Sequence, residues 1–308
     1  MDENLNQVLP YHVPVMLKEC VDGLNIKENG TYIDVTFGGG GHAKEILKNI
    51  SSGKLFAFDQ DEAAEANTEK INHKGFELIK ANFRHLKRYL KLYNVLEVDG
   101  ILADLGISSH QIDAGERGFA TRFDAKLDMR MDQNGSKTAK DIIYTYPEAE
   151  LHKIFGMYGE VTNAKTLANA IVRERIKSKI NTTFDLKEVL KKYAPKGKEN
   201  KYYAQVFQAL RIEVNDELKA LEEMLEQTVE VLKPGGRLVI MSYHSLEDRL
   251  VKNYMAKGKF SGDVEKDFYG NTIVPFISIT KKVVVPSKEE IERNPRARSA
   301  KLRIAEKC

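Results

Sequence analysis

The stretch from Tyr32 to His42 joins a β-branched, apolar run to four consecutive glycines and then to a helix-forming segment. Glycine lets the backbone turn tightly and lets a ligand approach where any Cβ would collide. A helix starting at such a turn offers free N–H groups to polar ligand atoms. Residues 38–43 fit the G-x-G-x-x-A spacing, and Asp59 closes the next apolar run, where an acid can hold a ribose diol. Glycines and acid together indicate a ribose-bearing cofactor, NAD or S-adenosylmethionine alike.

Three features favour S-adenosylmethionine. Asp34, inside the first apolar run, would repel a pyrophosphate but suits the cationic ends of an amino-acid cofactor. Asn82 and Phe83 supply an amide and an apolar face for adenine. Residues 233–237, Lys-Pro-Gly-Gly-Arg before an apolar run, resemble the same element in many class I methyltransferases. Asp104 ends a fourth apolar run and would overlook the reacting centre. It is the first candidate for a catalytic acceptor, with Ser108 and His244 behind it. Two other chemistries compete. A nicotinamide oxidoreductase leaves Asp34 unexplained. A hydrolase built on Ser242, His244 and Asp248 lacks a G-x-S-x-G elbow, and its three residues crowd one turn. A pure RNA-binding module would not need the glycines with Asp59. The seven histidines are scattered and neither cysteine has a second at ligand spacing, so no metal set is expected.

These residues need a scaffold. Apolar runs at 31–36, 54–59, 76–80 and 98–106 alternate with helical patterns, which predicts βαβ units and a parallel sheet covered on both faces. Helices are expected at 15–24, after the glycines to about 50, at 61–72 and at 84–93. From 108 the rhythm stops. Helical patterns follow at 139–145, 148–156, 164–178 and 183–193, the last with Thr182 or Thr183 as N-cap. A helix at about 214–232, a turn and a fifth strand at 237–241 resume the alternation. Runs at 276–285 and 300–305 suit an antiparallel edge pair. The expected fold class is α/β, a Rossmann-like sheet formed by 1–107 and 214–308, interrupted by an all-helical insert at 108–213.

Of 308 residues, 42% are hydrophobic and 30% charged, with net charge +3, so acidic partners must be met by local patches. Residues 165–201 hold 11 lysines and arginines against 4 acids, and residues 293–307 hold 6 against 1. With Tyr193, Tyr202, Tyr203 and Phe207 beside the first run, phosphate contact and base stacking are expected. Cys20 and Cys308 form no disulfide framework, and neither a signal peptide nor a run of roughly 18 apolar residues is visible. A cytoplasmic protein with no membrane contact is expected.

Longer motifs narrow the reading. They fall at residues 12–19, 32–42, 104–113, 116–119, 127–132, 207–215, 242–249 and 294–299. In this order, over nearly the whole chain, they resemble the bacterial 16S ribosomal RNA (cytosine-N4)-methyltransferases, the RsmH or MraW family. The resemblance implies a class I methyltransferase with a helical substrate-recognition insert. It implies methylation of the exocyclic N4 of a cytidine in the decoding centre of small-subunit RNA. The family's S-adenosylmethionine positions fall on Gly40, Gly41, His42, Asp59, Phe83, Asp104 and Gln111. His42 and Gln111 come from the resemblance alone. Gly40 to His42 are then the expected contact, with Gly38 and Gly39 shaping the turn. Two departures stand out. Gly39 replaces a longer residue, commonly arginine, and residues 201–205 replace a His-Pro-Ala-Thr-Arg run, so RNA contacts there would differ in kind.

Overall fold

The computed structural model describes residues 14–280 and 282–308; His12, which begins the first motif, lies outside them. Seven strands build the main sheet: β1 (Thr31–Asp34), β2 (Lys54–Asp59), β3 (Phe76–Lys80), β4 (Val98–Asp104), β5 (Leu232–Ser242), β6 (Phe276–Ser278) and β7 (Lys301–Lys307). Their spatial order is β3-β2-β1-β4-β5-β7-β6. The first five are parallel, and β7 enters antiparallel between β5 and β6.

Side chains alternate between the faces of this sheet, as strand geometry requires. Ile33, Phe56, Phe58, Ile101 and Ile240 face one side, under α3 (Leu86–Leu92), α10 (Glu217–Val231) and α11 (Ser245–Lys257). Tyr32, Leu55, Ala57, Leu102 and Met241 face the other, under α1 (Leu17–Leu24) and α2 (Gly41–Lys48). Both faces are covered, which explains why these strands read as near-continuous apolar runs.

A third cluster belongs to the helices after β4. It joins Phe119, Leu127 and Met129 to Ile142, Phe155, Leu167, Ile171, Leu186, Tyr202 and Leu210. The helices are α4 (Ser109–Asp113), α5 (Ala139–Thr145), α6 (Glu148–Met157), α7 (Ala164–Lys177), α8 (Thr183–Lys191) and α9 (Glu199–Asn215). Capping boxes start α4 at Ser108, α5 at Thr138 and α8 at Thr182.

Some expectations shift. The 276–285 and 300–305 runs do pair, but the first is strand only over Phe276–Ser278, and β7 lies inside the sheet against β5. β7 sends Leu302 and Ile304 to one face and Ala305 to the other, which suits a covered strand. Residues 62–70 form 3-10 turns instead of an α-helix; only Ala64 is buried there, so packing supplies little to favour a longer helix. No helix is expected from the sequence at 199–215, yet α9 is 17 residues long. Tyr202, Tyr203 and Phe207 are its buried face, at 2%, 7% and 4% exposure. Their spacing is that of a helical core stripe, and they are not available to stack bases.

Candidate active site

In open parallel sheets, ligands bind beyond the carboxyl ends of the strands, where the strand order reverses. Here that point lies between β1 and β4, and a cleft of about 410 Å³ opens there. This volume is in the range of small-molecule sites.

The glycine turn forms one wall. Gly38 has φ +48°; its N–H donates to Asp59 Oδ2 at 2.8 Å, and its carbonyl accepts from Asn67 Nδ2 at 3.0 Å. Gly38, Gly39 and Gly41 line the cleft. Gly40 does not. At φ +72° it caps α2 and turns toward the Phe37 ring, which a Cβ would meet at 3.0 Å. The expected division within the loop is therefore altered: Gly40 shapes the turn, while Gly38 and Gly39 face the ligand space. Gly41 packs so closely on Pro14 that a Cβ would lie 2.1 Å from its Cγ.

Asp59, at the end of β2, also accepts from the Asp61 N–H at 2.8 Å through Oδ1. Burial pushes its carboxyl up to about 6, although both backbone N–H groups favour the ionised form. The acid expected to hold a ribose thus also ties the glycine turn to the segment after β2. Phe83 lines the cleft beside Asn82, whose amide donates to Gln60 Oε1 at 2.7 Å. Gln111 lines it as well, but its side chain is engaged. Oε1 accepts from Ser108 N at 3.0 Å and Nε2 donates to Asp61 Oδ2 at 2.7 Å. Arg117 pairs with the same Asp61 oxygen and donates to the carbonyls of Arg130 and Met131. Asp61 thereby fastens the helical segment to the end of β2.

Asp104 ends β4 on the cleft floor. Its backbone N–H donates to Thr36 Oγ1 at 2.6 Å, and Tyr243 Oη–H donates to its Oδ1 at 2.8 Å. Its side chain keeps 20% exposure, toward the cleft it lines. Burial pushes the carboxyl up to about 7, against the pull of the Tyr243 bond. Asp34 does not line the cleft. It lies below, 1% exposed, with Oδ1 accepting from Thr36 N at 3.0 Å and Oδ2 without a hydrogen-bond partner among the described residues.

His42 is 6% exposed. Its Nε2 sits 3.1 Å from the Val15 carbonyl and its Nδ1 3.9 Å from Asp104 Oδ2. His244 lines the cleft, but its ring caps α11: Nδ1 accepts from Glu247 N at 3.5 Å, and Nε2 faces Glu247 Oε1 at 3.1 Å. Burial pushes Glu247 up, yet His244 and Arg211 outweigh it and hold the carboxyl below its usual range. Glu217, His244 and Glu247 bring ligand-type atoms within 4.8 Å of one another. Arg211, however, engages both Glu217 oxygens, at 2.8 and 3.0 Å, and adds a positive charge that opposes a metal ion there.

Residue type and spacing alone do not mark Tyr243, Asp61 or Arg117 as site residues. Tyr243 carried one signal, its place just after the fifth strand. Met241 pairs with Asp104 in register, which sets Tyr243 beyond the same sheet end. Asp61 and Arg117 meet only through tertiary structure.

The second basic run is largely engaged. Lys301 and Arg303 pair with Asp248, and Arg296 with Asp113. In the first run, Arg175 donates to the carbonyls of Ile143 and Tyr146, while Lys165, Lys177, Lys179, Lys191, Lys196, Lys198 and Lys201 are exposed.

A ribose-bearing cation fits this cleft. Acids stand at the ends of β2 and β4, the glycine wall is open and Phe83 offers an apolar face, while the arginines of the lining, Arg211 and Arg296, are paired with Glu217 and Asp113. Sheet order and site together define a class I methyltransferase dependent on S-adenosylmethionine. The sequence profile of the MraW methylase family matches residues 10–308, and the chain belongs to that family. A relative in Cytophaga hutchinsonii, named ribosomal RNA small subunit methyltransferase H, is 65% identical over 96% of this chain and 99% of its own. Relatives of the same name in Christiangramia forsetii and Bacteroides thetaiotaomicron are 56% and 54% identical, each over 97% of this chain and 99% and 98% of their own. A solved rRNA methylase from Streptococcus thermophilus aligns over 94% of this chain and 93% of its own at 14% identity and a TM-score of 0.40, too distant to argue from. Among the described residues no helix is long and apolar enough to cross a membrane.

Proposed function

We propose that this protein methylates the RNA of the small ribosomal subunit in the cytoplasm, on the exocyclic N4 of a cytidine in the 16S decoding centre. The names of its relatives support the RNA, and the motif resemblance supports the position. The observation that carries the chemistry is Asp104, a carboxylate that ends β4 on the cleft floor, lines the cavity and is held through Oδ1 by the Tyr243 hydroxyl.

Cytosine N4 is a poor nucleophile because its lone pair is delocalised into the ring. The reaction needs that nitrogen held in line with the methyl donor. It also needs an acceptor for the N4 hydrogens, to favour pyramidalisation and stabilise the positive charge that develops. S-adenosylmethionine, when bound, supplies the methyl group. Gly38, Gly39, Gly41, Asp59 and Phe83 would hold it, and Asp104 would receive the N4 proton. Tyr243 fixes the Asp104 carboxylate. His244, committed to Glu247, is better suited to positioning the Tyr243 turn than to taking the proton. Methylation at cytosine C5 needs a thiolate to add at C6 first. No cysteine lines the cleft, and Cys20 is buried with its thiol pushed well up by desolvation. The helical segment 108–213, with its exposed lysines, serves as the RNA-recognition unit.

Asp104→Asn tests this reading, because the amide can keep the Tyr243 bond but cannot take a proton. Methyl transfer to small-subunit RNA should fall by roughly 100-fold or more, with RNA binding unchanged. Wild-type turnover in this variant would refute the assignment.

A further inference from the structure

Among the described residues of the helical segment 108–213, two phenylalanine or tyrosine side chains are exposed, Phe123 at 36% and Phe184 at 42%. Each carries a cation over its ring, Arg122 at 4.7 Å and Lys187 at 4.6 Å from the centroid. The two rings stand on joined pieces of chain. Thr183, fully buried, donates through Oγ1 to the Phe123 carbonyl at 2.6 Å and through its N–H to the Ala125 carbonyl at 2.8 Å. The Ala125 N–H donates back to Thr183 Oγ1 at 3.1 Å, and the Phe184 N–H reaches Asp124 Oδ1 at 3.4 Å. Lys187 closes the arrangement by donating to the Thr121 carbonyl at 2.9 Å. The loop at 121–125 and the start of α8 thus form one fixed ledge.

The ledge begins at the cleft. The Phe123 ring lies on Gly115, where a Cβ would meet its Cγ at 3.0 Å, just beyond α4, whose His110 and Gln111 line the cavity. Arg122 pairs with Asp113 at the end of α4, and the same carboxylate oxygen accepts from Arg296 of the cavity lining at 2.7 Å. On the far side, Phe184 and Lys187 border a second cavity of about 430 Å³ together with Lys179 and Lys192. Of the acids there, Asp185 accepts from the Asn181 and Thr182 N–H groups at 2.9 and 3.0 Å, Glu174 lies 3.8 Å from Lys192, and Glu188 stands against the three lysines.

We propose that this ledge carries the single strand flanking the target nucleotide, with bases stacked on Phe123 and Phe184 and the adjoining phosphates met by Arg122 and Lys187. The inference rests on the reading of RNA as the substrate. An aromatic face accepts any base, and a cation beside it meets the backbone of the same strand. The Arg122 guanidinium is planar and can stack as well as bond a phosphate. The Lys187 ammonium has three donors and gives one to Thr121. A duplex cannot use these rings, because its bases are stacked on one another, whereas an unpaired target leaves its neighbours free to splay onto the ledge. A protein surface would cover the rings without needing a cation on each.

Phe123→Leu and Phe184→Leu keep the apolar packing and remove the aromatic face. Each should weaken binding of a small-subunit RNA fragment, with unpaired nucleotides on both sides of the target cytidine, by about fivefold or more, read by fluorescence anisotropy. Melting temperature and S-adenosylhomocysteine affinity should stay at their wild-type values. The wild-type protein should show a comparable loss when the flanking bases are replaced by abasic sites, and on that RNA the leucine variants should lose nothing further. Arg122→Gln should reduce the slope of log affinity against log salt by roughly 0.7–1. The ledge is overturned if both leucine variants bind the intact fragment as tightly as wild type, as a protein-docking surface would leave them. It is equally overturned if they lose as much on the abasic RNA as on the intact one, the result of a merely structural role. A wild-type protein that neither binds nor methylates small-subunit RNA removes the functional reading and the ledge together, whereas an active wild type beside unaltered variants removes the ledge alone.

Discussion

Tyr243 donates a single hydrogen bond to Asp104, and that bond favours the ionised carboxylate. Tyr243→Phe should therefore move the rising limb of the pH–rate profile to higher pH, because the floor acid then holds its proton more tightly. A hydrogen bond to a charged group contributes about 1.5–3 kcal/mol, so kcat should fall roughly tenfold or more, with homocysteine affinity nearly unchanged; stopped-time methylation assays across pH 6 to 9 read both effects. Asp59 shows how far a residue's task can be seen in advance. An acid closing a strand one glycine loop away is legible as a ribose ligand. Its bonds to Gly38 and Asp61 are not, since they depend on how two loops meet. Asp59→Ala should therefore lower the melting temperature as well as cofactor affinity, in calorimetry and in homocysteine titration. Asp104 was visible for the same reason as Asp59, whereas Tyr243 stood in a motif that gave no hint of its partner.

At the level of elements, a glycine at positive φ fixes a turn of the helical segment. Gly118 has φ +75°, and a Cβ there would lie 2.3 Å from the Lys126 carbonyl oxygen. Gly118→Ala should destabilise the helical segment by at least about 1–3 kcal/mol, seen as earlier proteolysis within 108–213 while the sheet persists. The strands β1 to β4 were readable because each is a short apolar run bounded by turn residues. α9 was not, because Lys201 and its two tyrosines resemble a nucleic-acid surface until the spacing of Tyr202, Val206, Ala209 and Leu210 is traced around a helix. The 3-10 turns at 62–70 escaped for the opposite reason: their alanines and glutamates have good helix propensity, but almost nothing packs on them.

Across the whole molecule, three acids converge on one cleft, Asp34 buried below it and Asp59 and Asp104 half-buried in its lining. Asp34, Asp59 and Asp104 bind protons more tightly in the folded chain than in the unfolded one, where an aspartate titrates near 3.9. Between about pH 4 and pH 7 the folded state therefore holds more protons, and this contribution to stability is lost as pH rises. The melting temperature of the cofactor-free protein, compared with that of Asp104→Asn, should fall relative to the variant as pH is raised from 5 to 8. A difference that stays constant would show that Asp104 ionises normally. A cationic cofactor over these acids should offset their repulsion and stabilise the folded state most at the upper end of this range. The insertion of β7 between β5 and β6 could not be read locally, since it pairs residues some sixty positions apart in sequence and is set by which strand can bury both faces. The most direct test of the central claim is the identity of the modified nucleoside. Small-subunit RNA lacking the modification, incubated with this protein and S-adenosylmethionine bearing a labelled methyl group, would be digested and resolved by mass spectrometry. The expected product is labelled N4-methylcytidine at a single decoding-centre position; label in 5-methylcytidine, in a ribose 2′-O-methyl group or in no nucleoside would contradict it.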